Sequence, residues 1–460
     1  MKTKKNIKSI AALFLCVILM LTAGCAKGTE KEQTAGTTSG KALAEMNDIP
    51  ADGIITKEQF QSVAGKEQKV QFKGTTEDGI TYVWTYDCAK IQNPEDQNHP
   101  EVPDNMTVSA AGQTAQALLD TMTDDEKLWQ LFFVTPEAIT NVDTATVAGE
   151  TTKKALEQYP VGGIVYFAKN LEDREQTVAL LENTQSYAKI PLFLGVDEEG
   201  GTVSRVGSNP EMGVPSVGDM RSLGKQQDPA VVHAAGQDIG GGLHALGFNL
   251  DFAPVADVAQ GADSVIGSRS FGSDPELCAS LAGVIVKSLR AEGIVSCLKH
   301  FPGYGSATVD DHNGTSIVEK SLSELEACDL IPFQSIIAAE GSVPFVMVSH
   351  LSYPSVTGSD TPADLSSSIV TDILRDKLEY QNVIITDSHS MASITDHYSA
   401  GDAAVKALEA GCDMILMPSD LQAVFDAVKA AVADGTLSQA RIDESVLRIL
   451  TVKAEYGIIS

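Results

Sequence analysis

The sequence predicts an α/β protein built on a single (β/α)8 barrel of the TIM type, preceded by a small β-rich N-terminal module. From about Gln113 onward, eight short apolar segments alternate with helical segments along the chain. Their near-continuous hydrophobicity indicates parallel strands that are buried on both faces. Eight is also a number of strands at which such a sheet closes. A doubly wound open sheet is the alternative that the same alternation allows.

The predicted barrel strands are short and apolar throughout. They are Leu131–Val134, Gly162–Phe167, Pro191–Val196, Asn249–Val255, Ile294–Leu298, Pro344–Val348, Asn382–Ile385 and Met414–Met417. Helical periodicity separates them, for example over Glu276–Arg290 and Asp402–Ala410, and we expect a final helix over Ser438–Glu455.

The N-terminus has the pattern of a bacterial lipoprotein signal. Four lysines precede an apolar run from Ile10 to Leu21, which is too short to span a bilayer as a mature helix. The run leads into Leu-Thr-Ala-Gly-Cys, which resembles a lipobox with Cys25 as the lipidated residue, although Thr22 stands where Leu is usual. We therefore expect an extracytoplasmic protein held to the cell membrane through this lipid anchor only. An ordinary secretory signal with a chance cysteine is the alternative.

Composition divides the chain into a signal peptide (1–24), a flexible tether (25–50), a small β module (51–105) and the barrel (113–456). The tether is rich in Thr, Gly, Lys and Glu and has no apolar period. In the module, Lys69–Lys73 and Ile80–Tyr86 alternate apolar with polar residues on either side of Asp78-Gly79. This pattern predicts a β-hairpin.

Charge and cysteine content exclude several classes of function. The chain has 33 Lys and Arg against 62 Asp and Glu, for a net charge of −29. This balance argues against nucleic acid as a partner, because phosphate binding needs clustered cations. Seven cysteines without a Cys-x-x-Cys pair indicate neither a zinc site nor a disulfide framework. We expect buried free thiols at Cys278, Cys297, Cys328 and Cys412.

Polar side chains follow most of the predicted strands. They are Asp197, Glu198 and Glu199 after the third strand, Asp257 after the fourth, Lys299 and His300 after the fifth, Ser349 and His350 after the sixth, and Asp387 after the seventh. In a (β/α)8 barrel these ends share the face where active sites are built. Carboxylates with cations, and no phosphate-binding glycine loop, favour a neutral polyhydroxylated ligand. Cleaving a glycosidic bond requires a carboxylate beside the anomeric carbon.

Five ordered motifs over about residues 115–455 resemble glycoside hydrolase family three, in its β-N-acetylhexosaminidase branch. They are Lys299-His300-Phe301-Pro302-Gly303-Tyr304-Gly305 with Asp310-x-His312, Val196-Asp197-Glu198-Glu199-Gly200-Gly201-x-Val203-x-Arg205, Asn249 to Asp257, Ile266-Gly267-x-Arg269-Ser270-Phe271-Gly272, and Ile385-Thr386-Asp387-Ser388. The departures are few. Tyr304 stands where many members have His, Asp311 where Ser is frequent, and His389 where Leu or Asp is usual.

The resemblance implies a role for each matched residue. Asp387 is expected to be the nucleophile, His312 the general acid/base and Asp310 its partner in a dyad, on a loop that Gly303 and its small neighbours allow to move. The expected sugar-binding residues are Asp197, Arg205, Arg269, Lys299 and His300, with Asp257 beside them. Asp387 as a helix N-cap, and Asp310-x-His312 as a metal pair without an obvious third ligand, are the alternatives.

The expected activity is that of a retaining exo-β-N-acetylglucosaminidase that uses no metal or cofactor. Its implied substrates are terminal GlcNAc residues of cell-wall muropeptides or related β-linked glycans. Many family members take their acid from a following domain, and because the sequence ends at Ser460 we expect the acid on the Lys299–His312 loop. A β-N-acetylglucosaminide phosphorylase or another β-glycosidase of the family is the nearest alternative. An inactive glycan-binding lipoprotein is the alternative from another class.

Overall fold

The computed structural model describes residues 109–261, 264–307, 316–339 and 343–460, and two strands before them. The chain divides into two units, residues 1–113 and 114–460. In the first unit, β1 (Lys69–Thr75) and β2 (Thr81–Asp87) pair antiparallel. This pairing confirms the predicted hairpin. The signal peptide with Cys25, the tether and the rest of the module lie outside the described residues.

The second unit contains a closed barrel of parallel strands. The strands of this unit are β3 (Phe132–Val134), β4 (Gly163–Tyr166), β5 (Phe193–Val196), β6 (Glu198–Gly200), β7 (Val203–Ser204), β8 (Leu250–Asp251), β9 (Val295–Phe301), β10 (Phe345–Val348), β11 (Val383–Ser388) and β12 (Met414–Leu416). β6 and β7 form a small antiparallel pair, and the other eight close in chain order with β12 beside β3. The closed barrel confirms the predicted fold class and excludes the open sheet.

Helices alternate with the barrel strands. They are α1 (Ala110–Leu119), α2 (Asp124–Gln130), α3 (Pro136–Thr140), α4 (Glu150–Gln158), α5 (Arg174–Tyr187), α6 (Met220–Gln226), α7 (Pro229–Leu246), α8 (Pro275–Ala291), α9 (Leu322–Glu326), α10 (Leu330–Ile337), α11 (Pro354–Thr357), a π-helix (Ser368–Lys377), α12 (Ala392–Thr395), α13 (Ala400–Ala410), α14 (Leu421–Asp434) and α15 (Gln439–Glu455). Ser438 caps α15 by accepting a hydrogen bond from Arg441 N at 3.1 Å. Within the described ranges, no helix is long and apolar enough to cross a membrane.

Aromatic rings fill the barrel interior. The Phe133 ring lies 6.4 Å from that of Phe193 and 5.1 Å from that of Phe252, measured between centroids. A Cβ atom added at Gly163 would come within 2.5 Å of the Phe133 ring, so the glycine makes room for it. Phe193 on β5 also contacts Phe345 on β10, a strand that is not its neighbour. The barrel is therefore a packed core, as is usual for eight strands.

Two strands extend further than their apolar runs predicted. β9 continues from Leu298 to Phe301 because Lys299 N donates to Pro254 O at 3.1 Å and Phe301 O accepts from Ser349 N at 2.9 Å. β11 likewise continues to Ser388. Polar side chains of the site therefore lie on the strands themselves, where the backbone ladder holds them. Sequence patterning ended the strands early because it follows hydrophobicity and not backbone pairing.

The free cysteines follow the prediction with one exception. Cys278, Cys297 and Cys412 are buried free thiols, as expected. Cys328 is only half-buried, because it lies in the turn between α9 and α10.

A buried lysine at the N-terminal end of the barrel makes the stability depend on pH. Lys453 of α15 donates to Gln130 Oε1 at 2.8 Å and lies 5.1 Å from the Phe193 ring centroid, and burial lowers its pKa to about 7. An unfolded lysine keeps its proton to about pH 10. Between these values the unfolded chain binds more protons, so stability rises with pH. Between pH 7 and 9, the unfolding free energy of the native protein should rise with pH. We expect this rise to exceed that of Lys453→Met by about 2 kcal/mol.

Urea unfolding at several pH values measures this difference. The exposed Lys406 of α13 provides the control, since Lys406→Met should leave the pH dependence of the native protein in place. An identical pH dependence for native protein and Lys453→Met would contradict a neutral buried amine.

Candidate active site

The C-terminal ends of four barrel strands bring the predicted site residues to one end of the barrel. Asp197 follows β5, and Lys299 and His300 lie near the end of β9. Asp257 follows β8, and Asp387 is the last residue but one of β11. This arrangement is the position at which (β/α)8 barrels carry their active sites.

Lys299 is the centre of a buried ion cluster. Its Nζ lies 2.9 Å from Asp197 Oδ1 and 2.7 Å from Glu199 Oε1, and Arg269 donates two hydrogen bonds to Glu199 at 2.8 and 2.7 Å. Burial alone would raise the pKa of Glu199, but the charges of Lys299 and Arg269 hold it well below its usual range. Burial would lower the pKa of Lys299, but Asp197 and Glu199 raise it. The cluster is therefore ionised and formally neutral.

Only part of this cluster reaches solvent. The side chains of Asp197 and Arg269 are 20% and 24% exposed, whereas those of Lys299 and Glu199 are 3% and 1% exposed. Asp197 and Arg269 are thus the members that can hydrogen-bond a ligand directly, and Lys299 and Glu199 fix their positions. Glu199 was not among the predicted site residues, although its place in the Asp-Glu-Glu-Gly-Gly motif was a usable signal.

Asp257 lies behind His300 and not at the mouth of the site. Its fully buried carboxylate lies 2.7 Å from His300 Nδ1 and accepts hydrogen bonds from the backbone N of His300 at 3.2 Å and of Tyr304 at 2.6 Å. An ionised carboxylate only accepts, so this network assigns the proton to Nδ1 of His300. His300 Nε2 then faces Arg269 at 3.4 Å. The geometry gives Asp257 the role of orienting His300.

Asp387 is a half-buried carboxylate with few partners. Its Oδ1 accepts from its neighbour Ser388 N at 2.7 Å, and among the described residues no cation lies within ion-pair distance of it. Burial would raise its pKa, but His300, His350 and the Ser388 amide lower it below the usual value. The carboxylate is therefore ionised at neutral pH. It does not cap a helix, because the next helix, α12, begins only at Ala392.

A second group of ionisable side chains lies beside Asp387. His350 Nε2 is 2.9 Å from Ser388 O, His350 Nδ1 is 3.1 Å from Asp364 Oδ1, and His389 Nε2 is 2.9 Å from Asp364 Oδ2. His350 was expected at a strand end but given no role. Asp364 lies in a short turn, Ala363–Leu365, away from any strand end, so strand-end reasoning could not place it in the site.

Arg205 is held apart from the ion cluster. The Glu198 carboxylate accepts hydrogen bonds from the backbone N of Arg205, Val206 and Gly207 at 2.7, 2.7 and 3.1 Å, and so folds the turn after β7. The Arg205 guanidinium lies 5.8 Å from the ring centroid of Phe167, which follows β4. Among the described residues the Arg205 guanidinium forms no ion pair, and its buried Nε has no hydrogen-bond partner.

The glycines after β9 serve close packing, and the expectation that they also let the loop move stays a prediction. A Cβ atom at Gly303 would lie 2.5 Å from Asp329 Cβ, and one at Gly305 would lie 1.8 Å from Val258 O. Gly303 O also accepts from the Tyr353 hydroxyl at 2.9 Å. At both positions only a residue without a side chain fits. Asp310, Asp311 and His312 lie outside the described residues, so the proposed dyad remains a prediction.

Comparison with known proteins agrees with the motifs. Residues 123–452 match the family model for the glycosyl hydrolase family 3 N terminal domain. The chain is 35% identical over 331 residues to beta-hexosaminidase A of Pseudoalteromonas piscicida, covering 65% of this chain and 54% of that protein. It is 36% identical over 311 residues to beta-hexosaminidase LpqI of Mycobacterium tuberculosis, covering 65% of this chain and 77% of that protein.

A solved structure is similar over the same region. It is a glycoside hydrolase family 3 beta-N-acetylglucosaminidase from Paenibacillus sp. str. FPU-7, with a TM-score of 0.68 and 35% identity. The match covers 73% of this chain and 63% of that one. The chain spans about half the length of the Pseudoalteromonas relative and a larger part of the mycobacterial one. With the family model matching well over half of its residues, this chain belongs to glycosyl hydrolase family 3.

Proposed function

We propose that this protein is a retaining exo-β-N-acetylglucosaminidase with Asp387 as its nucleophile. The observation that carries the proposal is an ionised carboxylate at the end of β11, without a directly bound cation among the described residues, in a barrel mouth lined with sugar-binding groups. The relatives named beta-hexosaminidase and the solved beta-N-acetylglucosaminidase support this choice of sugar.

The reaction proceeds in two steps. In the first, an Asp387 oxygen attacks the anomeric carbon of a terminal β-GlcNAc and the bond to the leaving oxygen breaks, while His312 gives that oxygen a proton. In the second, His312 takes a proton from water, whose oxygen attacks the same carbon and releases Asp387. The sugar leaves with its original β configuration. The family resemblance gives Asp310 the role of supporting the protonated form of His312.

The sugar is held by the groups that reach the mouth of the site. Asp197 and Arg269 bind hydroxyl or amide groups of the −1 sugar, and Arg205 approaches from the turn after β7. Lys299 and His300 lie deeper, where Lys299 fixes Asp197 and Asp257 fixes His300. A neutral ion cluster suits an uncharged sugar, because it offers donors and acceptors without a strong net field.

The proposed natural substrate is inferred from the proposed location of the protein in the cell. A lipid anchor at Cys25, which the lipobox-like sequence suggests, would hold the barrel outside the cell membrane beside the GlcNAc-containing cell wall. The substrates are therefore muropeptides or related glycans bearing a terminal GlcNAc.

The activity is tested with the mature protein and aryl β-GlcNAc and β-glucoside substrates, in phosphate buffer and without phosphate. We expect preferred release of free GlcNAc, with the β anomer formed first. Release of GlcNAc-1-phosphate that depends on phosphate would identify a phosphorylase. Glycan binding without turnover of either substrate would identify an inactive binding protein and reject the hydrolase.

A further inference from the structure

Three buried side chains form a continuous contact from the Ala363–Leu365 turn to the end of β11. The members of this His350–Asp364–His389 triad are 0%, 0% and 2% exposed. Asp364 lies between the two imidazoles, 3.1 Å from His350 Nδ1 and 2.9 Å from His389 Nε2. The two-step reaction described above uses none of the three side chains. Burying a charged side chain costs folding free energy unless ion pairs and hydrogen bonds compensate for the lost hydration.

The contacts of His350 define where its protons lie. Ser388 O is a backbone carbonyl, which only accepts, so the His350 Nε2 at 2.9 Å from it carries a proton. Burial would raise the pKa of Asp364, but His350 and His389 lower it to about 2, so this carboxylate also only accepts. A neutral His350 would point a lone pair at Asp364 Oδ1. Nε2 is hydrogen-bonded, and Nδ1 lies at ion-pair distance from Asp364 Oδ1 without the alignment of a hydrogen bond, so the geometry favours a proton on both nitrogens and hence the imidazolium.

His389 takes the opposite state. Its Nε2 donates to Asp364 Oδ2, which needs only one ring proton. Burial, the largest influence, lowers the pKa of His389. The triad therefore consists of one cation at His350, one anion at Asp364 and one neutral donor at His389.

The cationic end of the triad faces the nucleophile. His350 is among the charges that lower the pKa of Asp387, after burial and His300. His350 also holds the carbonyl of Ser388, the residue that follows Asp387 on β11. A change at Asp364 therefore reaches Asp387 through both the charge and the position of His350.

We propose that Asp364 is a positioning residue which, supported by His389, keeps His350 protonated and aligned so that Asp387 stays ionised in mildly acidic solution. The proposal rests on the proposed role of Asp387 as nucleophile. Asp364 acts through His350 and does not touch the substrate.

Two other ionisable side chains face the triad, and burial raises the pKa of each above its usual value. Tyr398, which follows α12, has a pKa raised by burial and by Asp364. Cys412, before β12, donates to Asp364 O, and burial raises its pKa well above the usual value. Asp387 itself is faced by His300, His350 and, more weakly, Lys299.

The test is the pH dependence of kcat/KM in Asp364→Asn. An amide has no charge to hold His350 protonated, so the pKa of Asp387 rises and the acid limb of the profile moves to higher pH. We expect the loss of kcat/KM to grow as the pH falls, to roughly tenfold near pH 4.5, and a change of less than about twofold at pH 8. An acid limb that stays in place would overturn the proposal.

Matched variants separate this effect from a loss of stability. Asp413 is equally buried, its pKa is also lowered to about 2 by Arg375, Arg448 and Arg441 against the effect of burial, and it precedes β12 at the opposite end of the barrel. Asp413→Asn should destabilise the fold and leave the acid limb unchanged. His389→Leu should reproduce part of the Asp364→Asn shift, and His389→Gln, which keeps a donor toward Asp364, should restore the native profile. An equal shift in Asp413→Asn would refute the positioning role.

Two further readouts distinguish a failure of this proposal from a failure of the proposed function. NMR of 15N-histidine-labelled protein should show a doubly protonated His350 at pH 7 that becomes neutral in Asp364→Asn, whether or not Asp387 is the nucleophile. If Asp387→Asn retains turnover, the nucleophile assignment fails while this readout still tests the triad. Stoichiometric zinc that is lost in His389→Leu, with chelation reproducing the Asp364→Asn profile, would make the three residues metal ligands and overturn the proposal.

Discussion

Replacing Asp387 by alanine is expected to reduce kcat for aryl β-GlcNAc by at least about 10⁴-fold, because the step that forms the covalent intermediate loses its nucleophile. The fold should be unaffected, since the carboxylate makes one hydrogen bond, to its own neighbour, among the described residues. Steady-state kinetics with thermal unfolding of the same sample measure both quantities.

Azide distinguishes the loss of a nucleophile from other causes. A small anion can occupy the space that Asp387→Ala leaves and attack the anomeric carbon from the same side, which gives an α-glycosyl azide. Ser390→Ala is the control, because Ser390 is exposed and lies just past β11, and its activity should remain native. Loss of activity without azide rescue, or rescue that yields a β product, would contradict the assignment.

Replacing Lys299 by methionine is expected to lower the unfolding free energy by roughly 3–5 kcal/mol and to abolish most activity. The methionine fills a similar volume but leaves Asp197 and Glu199 without the cation that lies 2.9 and 2.7 Å from them. Asp197 then loses the partner that fixes its position at the mouth. Urea unfolding and kcat/KM on the same variant measure the two effects.

Measuring the unfolding free energy of Lys299→Met at several pH values tests whether unpaired carboxylate charge causes the loss of stability. The pKa of Glu199 is depressed in the native protein, so its contribution to stability is present above the unfolded value of about 4 and is lost as the pH falls below it. The deficit of Lys299→Met should therefore shrink below about pH 4, and adding Glu199→Gln should recover part of it. Lys127→Met, which breaks the partly exposed Lys127–Asp443 pair, should cost less than about 1 kcal/mol and spare activity. Equal losses in the two lysine variants would contradict a central role for Lys299.

Hydrophobic patterning predicted all eight barrel strands because a parallel sheet covered on both faces must be apolar along its whole length. It placed the end of β9 at Leu298, since Lys299 and His300 look like the start of a loop. In the structure they continue the strand, and the ion cluster and Asp257 satisfy their polar atoms. Partners that lie far away in sequence decided this boundary, and a local pattern does not contain them.

Motif resemblance located residues of the site but not the connections between them. Asp197, Lys299, Arg269 and His300 do meet at one end of the barrel, and Glu199 joins them because it pairs with both cations. Asp364 could not be foreseen, because its importance comes from a turn that folds back onto His350 and His389. His389 was noted only as a departure from the family pattern. Its contact with Asp364 gives that departure a physical meaning.

The central claim is that Asp387 becomes covalently bound to the sugar, and the most direct measurement is trapping of that intermediate. The protein without residues 1–24 is incubated with a 5-fluoro GlcNAc donor, digested, and mapped by mass spectrometry. The account predicts one sugar per protein, attached to Asp387 in the peptide that contains the end of β11. A label on any other residue would contradict it.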